Sequence, residues 1–206
     1  MAEKIILLHG IFRTARSMRG LESFLRGHGF DVFNLDYPST QLPLEDIVTH
    51  VHPQIVAFAT GDAPVHFVGY SMGGLVTRAY LTRYPLPQLG RVMLLATPNH
   101  GSEIADLLKP SRFYRRVYGP AGQQLGTDGN TALFGPVTYP LGILAGNRSI
   151  DPLCWLLLPK PNDGKVSVAA TKLDEMAMHR VVPVGHTLFP SSRLVWRETL
   201  AFLKGD

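Results

Sequence analysis

Cysteine is almost absent from this sequence: Cys154 is the one cysteine among 206 residues. A single thiol closes no internal disulfide, and with no CxxC pair or Cys/His cluster there is no pattern for structural zinc. Long apolar runs are missing as well. None approaches the roughly 18–20 residues that span a bilayer, so no integral membrane association is expected. A secretory signal is also lacking: Met1-Ala2-Glu3-Lys4 leads directly into Ile5-Ile6-Leu7-Leu8, too short for its apolar centre and without a cleavage site. The cytoplasm is the expected location. Basic runs are missing too. With 20 Lys+Arg against 16 Asp+Glu the net charge is +4 and the pI is near 9.3, but the basic residues are scattered. Their densest group is Arg112, Arg115 and Arg116, which reads as a solvated face, and no nucleic-acid partner is expected.

What the chain does have is apolar material. At 45% hydrophobic and 17% charged residues, it is suited to one compact domain over residues 1–206 and is not disordered. Short apolar runs alternate with amphipathic stretches, the pattern of a three-layer α/β/α sandwich with a mainly parallel sheet of about six strands. Strands are predicted at Lys4–Leu8, Asp31–Leu35, Val65–Val68, Arg91–Ala96, Leu141–Ala145 and His179–Val184. Helices are predicted at Ser17–Arg26, at Leu44–Phe58 with a kink or break at Pro53, from the residues after Ser71 to about Arg83, and at Ser191–Leu203. The last helix can be capped by Ser191 or Ser192, with Trp196, Leu200 and Leu203 on its apolar face. From Pro98 to about Pro140 regularity lapses, with at most a helix near Glu103–Leu108.

The sharpest local signal is Gly69-Tyr70-Ser71-Met72-Gly73, a G-x-S-x-G motif. Shuffling a chain with this Gly and Ser content would produce roughly 0.1 such motifs, so the pattern alone is moderate evidence. Context sharpens it, because the motif follows a buried strand and opens a helix, the setting of a nucleophile elbow. There the serine occupies a tight turn, flanking glycines remove clashing side chains, and helix N-terminal amides face the developing oxyanion. A serine hydroxyl needs a base, and the base needs an orienting carboxylate. His186 follows Val182-Pro183-Val184-Gly185, beyond the carboxyl end of the last strand, where active groups gather in such sheets. His179 begins that strand and so lies at the wrong end, and His100 precedes the acid candidates. Asp151 and Asp163 compete for the acid. Turn geometry in Pro161-Asn162-Asp163-Gly164-Lys165-Val166 favours Asp163, which precedes His186 by 23 residues. The second oxyanion donor should come from His9-Gly10-Ile11-Phe12: the Ile11 N–H paired with the Met72 N–H, with Phe12 as the less favoured substitute.

With these motifs in hand, the chain resembles the α/β-hydrolase fold, in particular the compact lipase/esterase branch related to bacterial triacylglycerol lipases. Leu7-Leu8-His9-Gly10 is similar to the oxyanion loop of that branch, and Gly69 through Leu75 to its elbow. Thr97-Pro98-Asn99-His100-Gly101-Ser102 resembles the segment after its next strand, Asn162-Asp163-Gly164-Lys165-Val166 its acid turn, and Gly185-His186 its histidine loop. The resemblance implies a Ser71–His186–Asp163 triad and hydrolysis of carboxylic esters through an acyl-enzyme. It implies a small-molecule or lipid ester substrate and no cofactor. Calcium-dependent members carry an aspartate just after the histidine; Thr187-Leu188-Phe189 stands there instead, and no metal is expected. The 101–140 segment becomes a short insertion over the active-site face. Thioesterases and acyltransferases use the same triad, and a non-catalytic binding protein of this fold would lack one of its members. The acyl site is expected among Phe113, Tyr114, Tyr118, Leu133, Phe134, Tyr139 and the run Trp155 to Leu158, most of which should simply pack the insertion.

Overall fold

The computed structural model describes residues 2–128, 131–149 and 156–205. Asp151, Cys154 and Trp155, named above, lie outside them. Six strands, β1 (Lys4–Leu8), β2 (Asp31–Leu35), β3 (Val65–Tyr70), β4 (Leu89–Leu95), β5 (Leu141–Gly146) and β6 (Met178–Val182), form one sheet in the order β2-β1-β3-β4-β5-β6. Every neighbouring pair is parallel, so all strand carboxyl ends open on the same edge.

Alternation along the strands explains the two apolar layers. Ile6, Leu8, Phe67, Leu94 and Ile143 face one core, shared with the helices α2 (Leu44–Phe58) and α3 (Met72–Arg83). Ile5, Leu7, Val68, Met93 and Leu144 face the other, shared with α1 (Arg19–Arg26) and the C-terminal helix Arg193–Lys204. Because helices cover both faces, the central strands are apolar at nearly every position instead of every second one. The three-layer sandwich and its six-stranded parallel sheet agree with the sequence reading.

Local differences have physical causes. The first helix begins as a 3-10 turn, Ala15–Met18, before α1 proper. Pro53 does not break α2, which runs unbroken from Leu44 to Phe58. The proline and Thr49, whose carbonyl it leaves without an amide partner, both lie on the exposed face, where that carbonyl is open to solvent. The expectation of at most one helix in 101–140 is corrected: α4 (Glu103–Leu108) is followed by α5 (Arg112–Gln123), which bends where Gly119 adopts φ 62° and ψ −164°. A further short helix, α6 (Val168–Thr171), precedes β6, and the C-terminal helix is therefore α7. Ser192 caps α7 by accepting from the Val195 amide. Its buried face is Val195, Thr199, Phe202 and Leu203, while Trp196 lies at its edge, donating to the Pro190 carbonyl at 2.9 Å. No helix among the described residues is long and apolar enough to cross a membrane.

Candidate active site

The turn between β3 and α3 holds Ser71 at φ 53° and ψ −122°, a left-handed conformation that costs a non-glycine residue energy and is kept only by its surroundings. Those surroundings are tight. The Ser71 amide donates to the Leu95 carbonyl at 2.8 Å, and the Gly74 amide donates back to the Ser71 carbonyl at 2.9 Å. A Cβ on Gly69 would lie 2.5 Å from Gly74 Cα, and one on Gly73 only 2.2 Å from the Leu8 carbonyl oxygen. The two flanking glycines are thus what lets helix, strand and turn close on one another.

His186 opens a 3-10 turn, His186–Ser191, shortly after the carboxyl end of β6. Its Nε2 lies 3.0 Å from Ser71 Oγ and its Nδ1 lies 2.8 Å from Asp163 Oδ2. An ionised carboxylate only accepts, so Nδ1 carries the proton and Nε2 is left to accept from the serine hydroxyl. Asp163 is 3% exposed, yet it is well supplied with donors. Its Oδ1 accepts from the Lys165 amide at 2.9 Å and the Val166 amide at 2.8 Å. Its backbone carbonyl accepts from the His186 amide at 3.0 Å, fixing the turn to the histidine loop.

Three side chains outside the sequence prediction brace this chain of hydrogen bonds. The Tyr70 hydroxyl donates to the His186 carbonyl at 2.9 Å, and burial pushes the phenol well above its ordinary value, so it stays a donor. Asn162 Oδ1 accepts from the Gly164 amide at 3.0 Å, an Asx turn legible in Asn-Asp-Gly. Ser102 Oγ donates to the Lys165 carbonyl at 3.0 Å. Tyr70 carried no signal of its own, because an x position in G-x-S-x-G is chemically unconstrained.

The β1 loop faces the serine directly: a Cβ on Gly10 would meet Ser71 Cβ at 3.2 Å. Among the described residues neither the Ile11 amide nor the Met72 amide is committed to another acceptor, and Met72 is the first residue of α3, at the positive end of its dipole. Beneath the loop, the fully buried His9 ring stacks on Tyr37 with centroids 4.1 Å apart. His9 Nδ1 lies 2.9 Å from the Gly10 carbonyl and Nε2 3.0 Å from Asp36 Oδ1, and the Tyr37 hydroxyl donates to the His9 carbonyl. Burial lowers the His9 pKa, with Gly10 and Asp36 acting against it. Phe12 also takes a positive φ of 59°.

The two histidines passed over as candidate bases stand apart. His179 hydrogen-bonds Thr171 Oγ1 at 3.0 Å, near the start of β6. His100 is exposed, on a separate cavity of about 90 Å³. The cleft over Ser71 has a volume of about 390 Å³. Segment 101–140 supplies one wall of it, including Ile104, Leu108, Tyr114, Tyr118 and Leu125. Of the expected lining, Tyr114 and Tyr118 are in place. Phe113 points outward at 75% exposed, Leu133, Phe134 and Tyr139 pack on the α2–α3 core, and Arg112, Arg115 and Arg116 face solvent. Among the described residues no three His, Cys, Asp or Glu side chains group to hold a metal ion.

This geometry has relatives. Over 117 residues, 51% of this chain, the sequence is 32% identical to a triacylglycerol lipase of Pseudarthrobacter phenanthrenivorans, covering 36% of it. It is equally similar to a triacylglycerol lipase of Burkholderia plantarii, covering 32% of that protein. The match therefore spans about a third of the length of these relatives. Among solved structures, the mature form of Bacillus licheniformis lipase BlEst2 superposes with a TM-score of 0.79 at 18% identity, over 98% of this chain and 92% of that one. The metagenomic carboxyl esterase MGS0156 does so at 0.72 and 15% identity, over 90% and 64%. These two likenesses are of fold. A family model described as the alpha/beta hydrolase family matches residues 5–199, from the first strand of the sheet through most of its last helix, and the chain belongs to that family.

Proposed function

We propose that this chain is a carboxylic ester hydrolase, acting as one domain through Ser71, His186 and Asp163. The observation that carries the reading is the hydrogen-bond chain from Asp163 Oδ2 through His186 to Ser71 Oγ, at 2.8 and 3.0 Å, ending in an open cleft. Ser71 Oγ attacks the ester carbonyl carbon while its proton passes to His186 Nε2. The oxyanion is received by the Ile11 and Met72 amides, and Asp163 steadies the imidazolium. The carbon–oxygen bond to the alcohol then breaks and the alcohol leaves with the proton from His186. Water, giving a proton to the same nitrogen, attacks the acyl carbon; the bond from that carbon to Ser71 Oγ then breaks, the serine takes the proton back from His186, and the carboxylic acid is released. No group beyond the side chains and two amides is called on. The substrate is a lipid or small-molecule ester, in keeping with relatives named as lipases and esterases, and nucleic acid is not a partner.

Covalent labelling with a fluorophosphonate, followed by intact mass and peptide mapping, tests this. A stoichiometric adduct on Ser71 is expected, lost in Ser71→Ala and His186→Ala with the folds retained. A folded protein that takes no adduct would sink the proposal and bring forward a binding protein. Oxygen esters should exceed acyl-CoA thioesters in kcat/KM; the reverse order would make the chain a thioesterase.

A further inference from the structure

Two side chains on the wall of the cleft have no part in the chemistry above. Arg13 lies two residues past Ile11 on the β1 loop, Lys165 lies two residues past Asp163 on the acid turn, and both line the cavity that contains Ser71 and His186. Their backbones are fixed by the site itself. The Arg13 amide donates to the Gly10 carbonyl at 3.2 Å and the Lys165 amide to Asp163 Oδ1 at 2.9 Å. Their charged ends are not: among the described residues neither pairs with a carboxylate. Some of the other cations do, namely Arg26 with Glu22 and Asp31, Lys109 with Asp106 and Asp128, and Arg180 with Glu198.

The rest of the lining makes these two charges count. No Asp or Glu is among the described residues lining the cavity, and the Asp163 carboxylate is turned away behind His186, its oxygens filled by two amides and a ring nitrogen. The Arg13 charge is felt beside the triad, drawing the Tyr70 phenol back against the upward push of burial. A cleft with charge of one sign and apolar walls concentrates its field on what enters. The wall from α4 and α5 is apolar or aromatic, which suits hydrocarbon, and the two cations border it: Lys165 through its carbonyl bond to Ser102, the cap of α4, and Arg13 through its neighbour Phe12, which packs on Tyr118 of α5. A guanidinium fork also matches the paired oxygens of a phosphate or carboxylate.

Building on the reading of Ser71 as the nucleophile, we infer that the substrate is an ester whose acyl chain lies along the α4–α5 wall and whose alcohol bears an anionic group received by Arg13 and Lys165. Both residues then set specificity, by lowering KM for anionic alcohols.

The test compares matched short esters that form no lipid surface. Hexanoyl glycerol and hexanoyl glycerol 3-phosphate share acyl chain and scissile bond and differ in the charge of the alcohol. Aryl pentanoate and aryl hemiglutarate instead place the charge on the acyl side. The phosphate ester should be favoured by about tenfold in kcat/KM, chiefly through KM, as one or two partly solvated charge contacts provide. That preference should shrink as salt rises from about 50 to about 500 mM. It should approach unity in R13Q and K165Q, reverse in the R13E/K165E double variant, and be absent between the two aryl esters. Equal or better use of hexanoyl glycerol overturns the inference. A preference for the hemiglutarate overturns it too, by moving the anion to the acyl side. So does an equal loss on both glycerol esters in the variants, which would make the cations general supports of the oxyanion. If Ser71 labels with fluorophosphonate and these outcomes appear, only the inference fails. If Ser71 does not label and none of the four esters is cleaved, the hydrolase reading fails with it.

Discussion

Asp163 meets the cost of burying a carboxylate by accepting two backbone amides on one oxygen and an imidazole N–H on the other. Asparagine at that position keeps the first oxygen and its amides but offers the ring an NH₂ group, so Nδ1 must turn from donor to acceptor and Nε2 takes the proton. Asp163→Asn is therefore expected to keep its fold and lower kcat by roughly 10³–10⁴-fold, with KM little changed. A stopped ester assay with a thermal melt alongside checks this, and a variant within tenfold of wild type would remove Asp163 from its proposed role. Ser71, His186 and Asp163 were legible because each sits in a short motif whose turn chemistry is local. Apart from Asn162, the supports were not. Tyr37 and Asp36 brace His9 from the end of the neighbouring strand, and Tyr70 reaches a carbonyl 116 residues away; such contacts leave no spacing to read along one strand.

At the scale of elements, the close approach of α3 to β1 constrains the site. A Cβ at Gly73 would press 2.2 Å from the Leu8 oxygen and 2.5 Å from the His9 oxygen, both backbone atoms that have no rotamer to yield. Gly73→Ala is expected to cost at least about 3 kcal/mol, a fall in Tm of roughly 6–12 °C, and to disturb the donors beside Ser71. Scanning calorimetry with fluorophosphonate labelling of the survivor checks both, and an unshifted Tm would contradict the packing. Strands were read well because burial on two faces makes them continuous apolar runs. Helix α5 was not, because Gly119 and Pro120 sit inside it and read as loop. Ser111, which accepts from the Tyr114 amide to cap it, was the available signal.

At the scale of the whole molecule, buried neutral histidines tie stability to pH. His66 lies in β3 with Nδ1 accepting the Arg91 amide at 2.9 Å, a bond an imidazolium cannot make. Burial lowers its pKa from the ordinary 6.5, against the pull of Glu3. The unfolded chain thus takes up a proton near pH 6.5 that the folded one resists, so this stabilisation is complete above that value and is lost as pH falls below it. Burial acts in the same direction on His9 and His179. Urea midpoints should be lower at about pH 5.5 than at about pH 7.5, and His66→Gln should narrow the gap. Equal midpoints for wild type would refute it.

The hydrogen bond from Ser71 to His186 joins residues 115 apart in sequence. A ribosome adding ~5–20 residues per second needs on the order of ten seconds to make that stretch. Throughout that interval the nascent chain carries its serine without the histidine. Under the mechanism proposed above, reactivity arrives only with His186, after the sixth strand, so a chain released early is a silent product.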